Sequence, residues 1–396
     1  MLKGPTADFL TQTSSGVRDW TLQMDYDYLP SPTHDIRFGI SLAAQRFEPE
    51  VLQIRDFDRV LTYNNDNRVD ALTLAAYLED DMEISPKLGL NIGLRSAVYQ
   101  VNAKSYPDIQ PRASLRYSWN NSLSFKASYN YMVQYIHLLT NSSLGAPTDL
   151  WVSSTERIKP QYSQQIAFGV FKNIESLKML LSVETYYKWL DNLIEYRDGA
   201  NYLFNTGETW QNKVAVGQGE AYGLEFLLQR DYGKLNGWLS YTLSWSNRQV
   251  EGVNEGRVFP FKYDRRHSFS AVLNYEFRKG KSLSLVFVYQ SGNAITLAEA
   301  TYQGAVPPTI DPRNEAGFEV LPYIAERNGY RMPAYHRMDL SYHTDKQKQK
   351  VKRAWIFSVY NLYSRLNAFF LYQTRGQLKQ VSLFPIIPSV TYQLEF

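Results

Sequence analysis

The five histidines, His34, His137, His267, His336 and His343, are scattered, and none has metal-ligand spacing to another histidine or to a carboxylate on one element. The chain has no G-x-S-x-G, no phosphate-cradling glycine loop and no H-E-x-x-H, so nothing is arranged for acyl transfer, phosphoryl transfer or zinc hydrolysis. "EDDME" at Glu79–Glu83 gathers four acids and raises calcium, but reads as a solvated turn. The expectation is a non-enzyme with no metal and no cofactor. The charges that stand out lie inside alternating stretches: Arg112 and Arg116 in "PRASLRY", Glu225 in "YGLEF", Asp264 and Arg266 in "KYDRRH", and Arg337 and Asp339 in "YHRMDLS". Trp151, Tyr202, Phe204 and Trp210 form a second set, set among Asn, Thr and Gly in long irregular segments. Rings so placed stack on a sugar or a planar chelate, or simply pack loop on loop.

The elements that must carry these residues show a period of two. In "NSLSFKASYNYMV", Leu123, Phe125, Ala127, Tyr129 and Tyr131 oppose Ser124, Lys126, Ser128 and Asn130. "GWLSYTLSWSN" sets Leu239, Tyr241, Leu243 and Trp245 against Ser240, Thr242, Ser244 and Ser246, and "HSFSAVLNYEF" repeats the pattern. About fifteen such segments occur, most of roughly ten residues, the length a tilted strand needs to cross a bilayer's hydrocarbon core. Short connections ("LPSPT", "WNN", "KNIE", "DYGK", "RKGK") alternate with long ones (47–69, 134–161, 191–218, 247–263, 291–332), as in an outer-membrane barrel with tight periplasmic turns and large external loops. A soluble sandwich or propeller is the competing architecture. Against it stand hydroxyl- and amide-rich polar faces suited to a wet lumen, and aromatics at strand ends (Tyr26, Tyr28, Tyr186, Tyr187, Trp189, Trp355) suited to interfacial girdles. The seven charged residues then point into the lumen, because an Arg or Lys turned to lipid at the midplane costs about 2–4 kcal/mol. There they either hold something inside the barrel or pair with neighbouring strands.

Composition agrees. The 396 residues carry a net charge of +3, with 30 Tyr, 20 Phe and 8 Trp and no cysteine. Near neutrality without a basic stripe excludes a nucleic-acid partner, and zero cysteine excludes disulfides and thiolate-bound metals. No apolar run is long enough for a spanning helix, and "MLKGPTADFLTQTSSG" has no signal-peptide pattern. With an odd number of strands, the first (from Val17) and the last run the same way, whereas bacterial barrels close antiparallel with an even number. Residues 1–16 are expected to be the remnant of an external loop and 17–396 the carboxy-terminal part of a barrel whose first strands are missing.

Five stretches carry a resemblance: "GEAYGLEFLLQR", "PFKYDRRHSFSAVLNYEF", "RMPAYHRMDLSYHT", "SVYNLYSRLNAFFLY" and "LFPIIPSVTYQLEF". In order and spacing the chain resembles the carboxy-terminal barrel of TonB-dependent outer-membrane receptors. The resemblance implies an all-β fold, a transmembrane antiparallel β-barrel in which these strands belong to a total of about 22 around a plugged lumen. It further implies energy-coupled import of a siderophore, cobalamin or oligosaccharide. The implied partners are outer-membrane lipid, a plug domain absent from this chain, and the TonB complex reached through the missing amino-terminal part. Tyr392, Leu394 and Phe396 resemble the terminal signal read by the barrel-insertion machinery. A passive porin-like channel and a non-transporting surface barrel are the other classes.

Overall fold

A computed structural model describes residues 2–3, 9–56, 59–63, 68–140, 149–200, 209–305, 318–348, 351–374 and 377–396. Fifteen wall strands follow one another: β1 (Phe9–Ser31), β2 (His34–Asp56), β3 (Val69–Ser85), β4 (Leu88–Val101), β5 (Lys104–Asn120), β6 (Leu123–Gln134), β7 (Gln161–Ile174) and β8 (Met179–Tyr196). The remainder are β9 (Val214–Arg230), β10 (Leu235–Val250), β11 (His267–Arg278), β12 (Lys281–Gln290), β13 (Tyr335–Lys348), β14 (Val351–Tyr360) and β15 (Ile387–Glu395). Each pairs antiparallel with its neighbour in sequence, so one sheet holds them all. Among the described residues no helix is long and apolar enough to cross a membrane.

The register shows two faces. From β1 to β3, Trp20, Leu22 and Met24 align with Ala44, Leu42 and Ile40, and these with Leu72, Leu74 and Ala76. This face is greasy and uncovered: Trp20 is 79% exposed, Leu22 60% and Leu74 56%. A continuous apolar face that none of the described residues covers is made to meet lipid. The opposite face carries Asp27, Arg37, Glu79, Gly93 and Arg112 in one cross-strand row. Alternation therefore sorts each strand into a lipid side and a water side.

Four expectations are corrected. β1 already begins at Phe9 rather than Val17, and β1 and β2 extend outward as a long hairpin. "EDDME" lies within β3, where period two sends Glu79, Asp81 and Glu83 inward and Asp80 outward to His34, 2.7 Å away. The short-and-long rhythm breaks between β4 and β5, which meet at the outer end through a two-residue turn, Asn102–Ala103; Asn102 accepts the left-handed conformation (φ 49) that such a turn requires. Tyr186 is not a girdle ring: it aligns with Ala167 and Gly223 on the water side, while Tyr187 faces lipid.

The inner turns keep the expected economy. Asn120 Oδ1 accepts the N–H groups of Ser122 and Leu123, both at 2.9 Å, an Asx-turn that closes β5 onto β6. Gly280 closes β11 onto β12 with φ 70.

Candidate functional site

The outer mouth is where the buried residues collect. On the water side of the outer ends of β2–β5, Phe47, Val69, Ala71, Tyr99 and Val101 form an apolar cluster with Tyr135. A hairpin of Ile136–Leu139 and Leu150–Ser153 lies against it. It is fixed by Tyr99 hydroxyl to Ser153 Oγ (2.5 Å), by Tyr106 hydroxyl donating to Thr155 O (2.7 Å), and by a stacked Tyr99–Tyr135 pair 4.5 Å apart. The hairpin's other side packs with Ile158, Ile194, Tyr196, Trp210 and Val214. The described part of this segment is folded inward against the water side of the wall.

Buried charge ties the remaining external segments together. Glu195, fully enclosed at the end of β8, receives Arg248 at 2.6 Å and Arg327 at 3.4 Å, and Arg248 also stands over the Phe261 ring. Asp198 accepts the Asn254 N–H at 2.7 Å, and the Asn254 amide oxygen accepts the Arg327 N–H at 2.9 Å. Asp264, 2% exposed, takes Arg331 through its carboxylate and its carbonyl oxygen, and accepts the Ser246 N–H at 2.7 Å. Asp149 joins Lys262 (3.0 Å) and the Tyr263 hydroxyl, linking the inward hairpin to the segment before β11; burial, then that carboxylate, pushes the Tyr263 phenol up to about 12. Unpaired charges in such places would cost several kcal/mol each, so these networks lock the loops to one another.

His137 sits wholly inside the hairpin's junction, 2.7 Å from Gln161 Nε2 and 3.1 Å from Ser154 Oγ. Burial pulls its pKa down to about 4, so the ring is neutral at neutral pH.

The expected site residues fare differently. Arg112 pairs with Glu79, which also accepts from Asn91 at 2.8 Å. Arg337 lies 3.0 Å from Asp339 and donates to the Tyr335 and Tyr360 hydroxyls at 3.0 and 2.8 Å, while Asp339 accepts the Asn361 N–H at 2.9 Å. Those three residues are engaged within the wall. Arg116 stands directly across from Lys126, and Glu225 across from Glu184; among the described residues no ion pair reaches any of the four. Like charges face to face destabilise a sheet unless something in the lumen answers them. Glu79, Lys126 and Glu184 were missed, although strand parity would have found them.

Two lumen assignments are corrected. Asp264 precedes β11 and is buried in the wall's outer rim. Arg266 places its guanidinium 4.4 Å over Trp245, a ring on the lipid side, because a side chain just outside the strand is free of strand parity. Trp210 is buried at 2% and serves packing, not contact, whereas Trp151 is half exposed on the hairpin. Tyr202 and Phe204 lie outside the described residues. The inclusion of Glu195, Arg327 and Arg331 had no local signal in the sequence, since their partners come from more than fifty residues away.

A family model, "TonB dependent receptor-like, beta-barrel", matches residues 3–362. No curated protein matches the chain. Among solved structures, the chain is similar to the ferric yersiniabactin uptake receptor FyuA from Yersinia pestis (11% identity, TM-score 0.64, 99% of this chain and 56% of that one). It is also similar to the ferric-catecholate import receptor Fiu from K12 E. coli (12%, 0.62, 97% and 55%) and to the FrpB iron transporter from Neisseria meningitidis (12%, 0.59, 96% and 56%). At these identities the likeness is one of fold, and the chain spans little more than half the length of the structures it matches.

Proposed function

The chain belongs to the TonB-dependent receptor β-barrel family, whose members sit in the bacterial outer membrane, and we propose that it is the wall of a receptor importing a scarce nutrient by an energy-coupled route. The observation that carries this reading is the family match over residues 3–362, taken with a wall that turns its apolar side outward and its charged side inward. An iron chelate is the favoured cargo, since the three structures above are two receptors for ferric chelates and an iron transporter. Cobalamin and oligosaccharide are the alternatives within the class. A cargo would meet the mouth at Trp151 and the inward hairpin.

The partners belong to the same reading. A plug seated in the lumen would answer the unpaired Arg116, Lys126, Glu184 and Glu225, and an energised TonB complex would move it. β1 and β15 run in the same direction, so an antiparallel wall closes between them only through an odd number of further strands. Tyr392, Leu394 and Phe396 would present the chain to the insertion machinery.

Deleting the gene and measuring uptake of radiolabelled ferric catecholate, hydroxamate and carboxylate chelates tests the proposal. Uptake of one class should vanish, and in the parent should stop when the proton gradient is collapsed. Uptake that persists without the gradient would identify a passive channel instead.

A further inference from the structure

Neighbouring side chains can be followed across the lipid side through the strand register. One row joins Ile166 on β7, Tyr187 on β8, Tyr222 on β9 and Trp245 on β10. From Leu235, at the inner end of β10, to Trp245 is ten residues; at about 3.3 Å each and a tilt of about 40° this is about 25 Å, the height of a barrel's apolar band. Trp245 therefore stands level with the head groups of the outer leaflet, and the strand tilt steps the rest of the row away from it in depth.

Its rings are stacked: Tyr187 on Tyr222 at 5.4 Å and 4°, and Tyr222 on Trp245 at 5.2 Å and 14°. The stack ends in a cation, the Arg266 guanidinium over Trp245. One row deeper into the membrane, Phe168, Thr185, Leu224 and Leu243 align, and the wall dips at Thr185. The Thr185 hydroxyl is spent on Gly223 O at 2.9 Å, so the dip offers no free polar group. The result is an apolar groove of 500 Å³ running down from the aromatic row.

The charge around the head of the groove is unbalanced. Lys262 has Asp149, and Asp264 is taken by Arg331, with Arg266 3.6 Å away as its second, looser cation. Arg265 donates to the neutral Asn293 side chain at 2.7 Å. The acid at the groove's upper edge, Glu220, is held by the Tyr187 hydroxyl and Asn247. Four cations against three carboxylates leave a net +1: Arg266 has only the looser share of a carboxylate it divides with Arg331, and Arg265 is held by a neutral amide.

We infer that this face retains a phosphorylated, acylated glycolipid of the outer leaflet, one acyl chain lying in the groove at Thr185 and a phosphate meeting Arg266. A greasy slot alone would take any lipid; a cation fixed on the ring at its upper end selects an anionic head at that depth.

The test is lipid retention by the full-length protein reconstituted in nanodiscs and read by native mass spectrometry. Wild type should retain bis-phosphorylated lipid A roughly fivefold more than dephosphorylated lipid A, about the contribution of one interfacial arginine. Arg266→Gln should erase that ratio, Thr185→Trp should lower retention of both lipids, and millimolar inorganic phosphate should displace neither. Equal retention of the two lipids by wild type overturns the proposal, even if a variant fails to fold. A ratio unchanged in folded Arg266→Gln, or ready displacement by phosphate, overturns it as well.

Discussion

At the scale of residues, the charges enclosed at the outer mouth all have partners, whereas Arg116, Lys126, Glu184 and Glu225 in the open lumen have no ion pair among the described residues. Asp264 is the most demanding case, a carboxylate wholly enclosed with Arg331 as its counter-ion. Arg331→Ala leaves that charge only the looser Arg266 and should destabilise the folded barrel by about 2–4 kcal/mol, less than a fully stranded charge would cost, whereas the double change Asp264→Asn with Arg331→Met should restore part of the loss. Unfolding midpoints in detergent check both. His137 predicts a pH response with a definite sign. Its pKa falls from 6.5 to about 4 on folding, so the stability from its neutral form is complete above pH 6.5 and is lost as pH drops toward 4. Hydrogen exchange at Ile136–Leu139 should quicken over that window, and His137→Asn should remove the dependence.

At the scale of elements, the strands were open to reading because lipid and water impose a strict period of two, seen in Leu239–Trp245 and Phe269–Phe277 alike. What escaped was whatever obeys no period. Asp264 and Arg266 lie before β11 begins, and parity does not extend past a strand's end. The inward hairpin escaped too, because its docking depends on Tyr99 and Tyr106 meeting Ser153 and Thr155 across about fifty residues. Asn102–Ala103 was lost inside a rhythm of long outer loops. Gly237 marks where the pattern bends: its φ is 135, and a Cβ there would run into the carbonyl oxygen of Val272 on β11. Gly237→Ala should cost about 1–3 kcal/mol and lower the fraction of heat-resistant folded barrel on gels. Removing Phe396, which is 94% exposed and beyond the last strand bond, should leave such stability unchanged while lowering the amount inserted in the outer membrane.

At the scale of the whole molecule, everything rests on which side of the sheet is wet. The lumen row of Glu184 and Glu225 and the lipid row of Thr185 and Leu224 occupy the same two strands one residue apart, so a single step decides the environment. The absence of native cysteine makes that step directly measurable. Single cysteines placed at Phe226, Glu225, Leu224 and Gly223, then exposed in intact outer membranes to a water-soluble maleimide, should label at Glu225→Cys and Gly223→Cys and stay dark at Phe226→Cys and Leu224→Cys. Uniform labelling along the strand, or the reverse alternation, would contradict the barrel assignment itself.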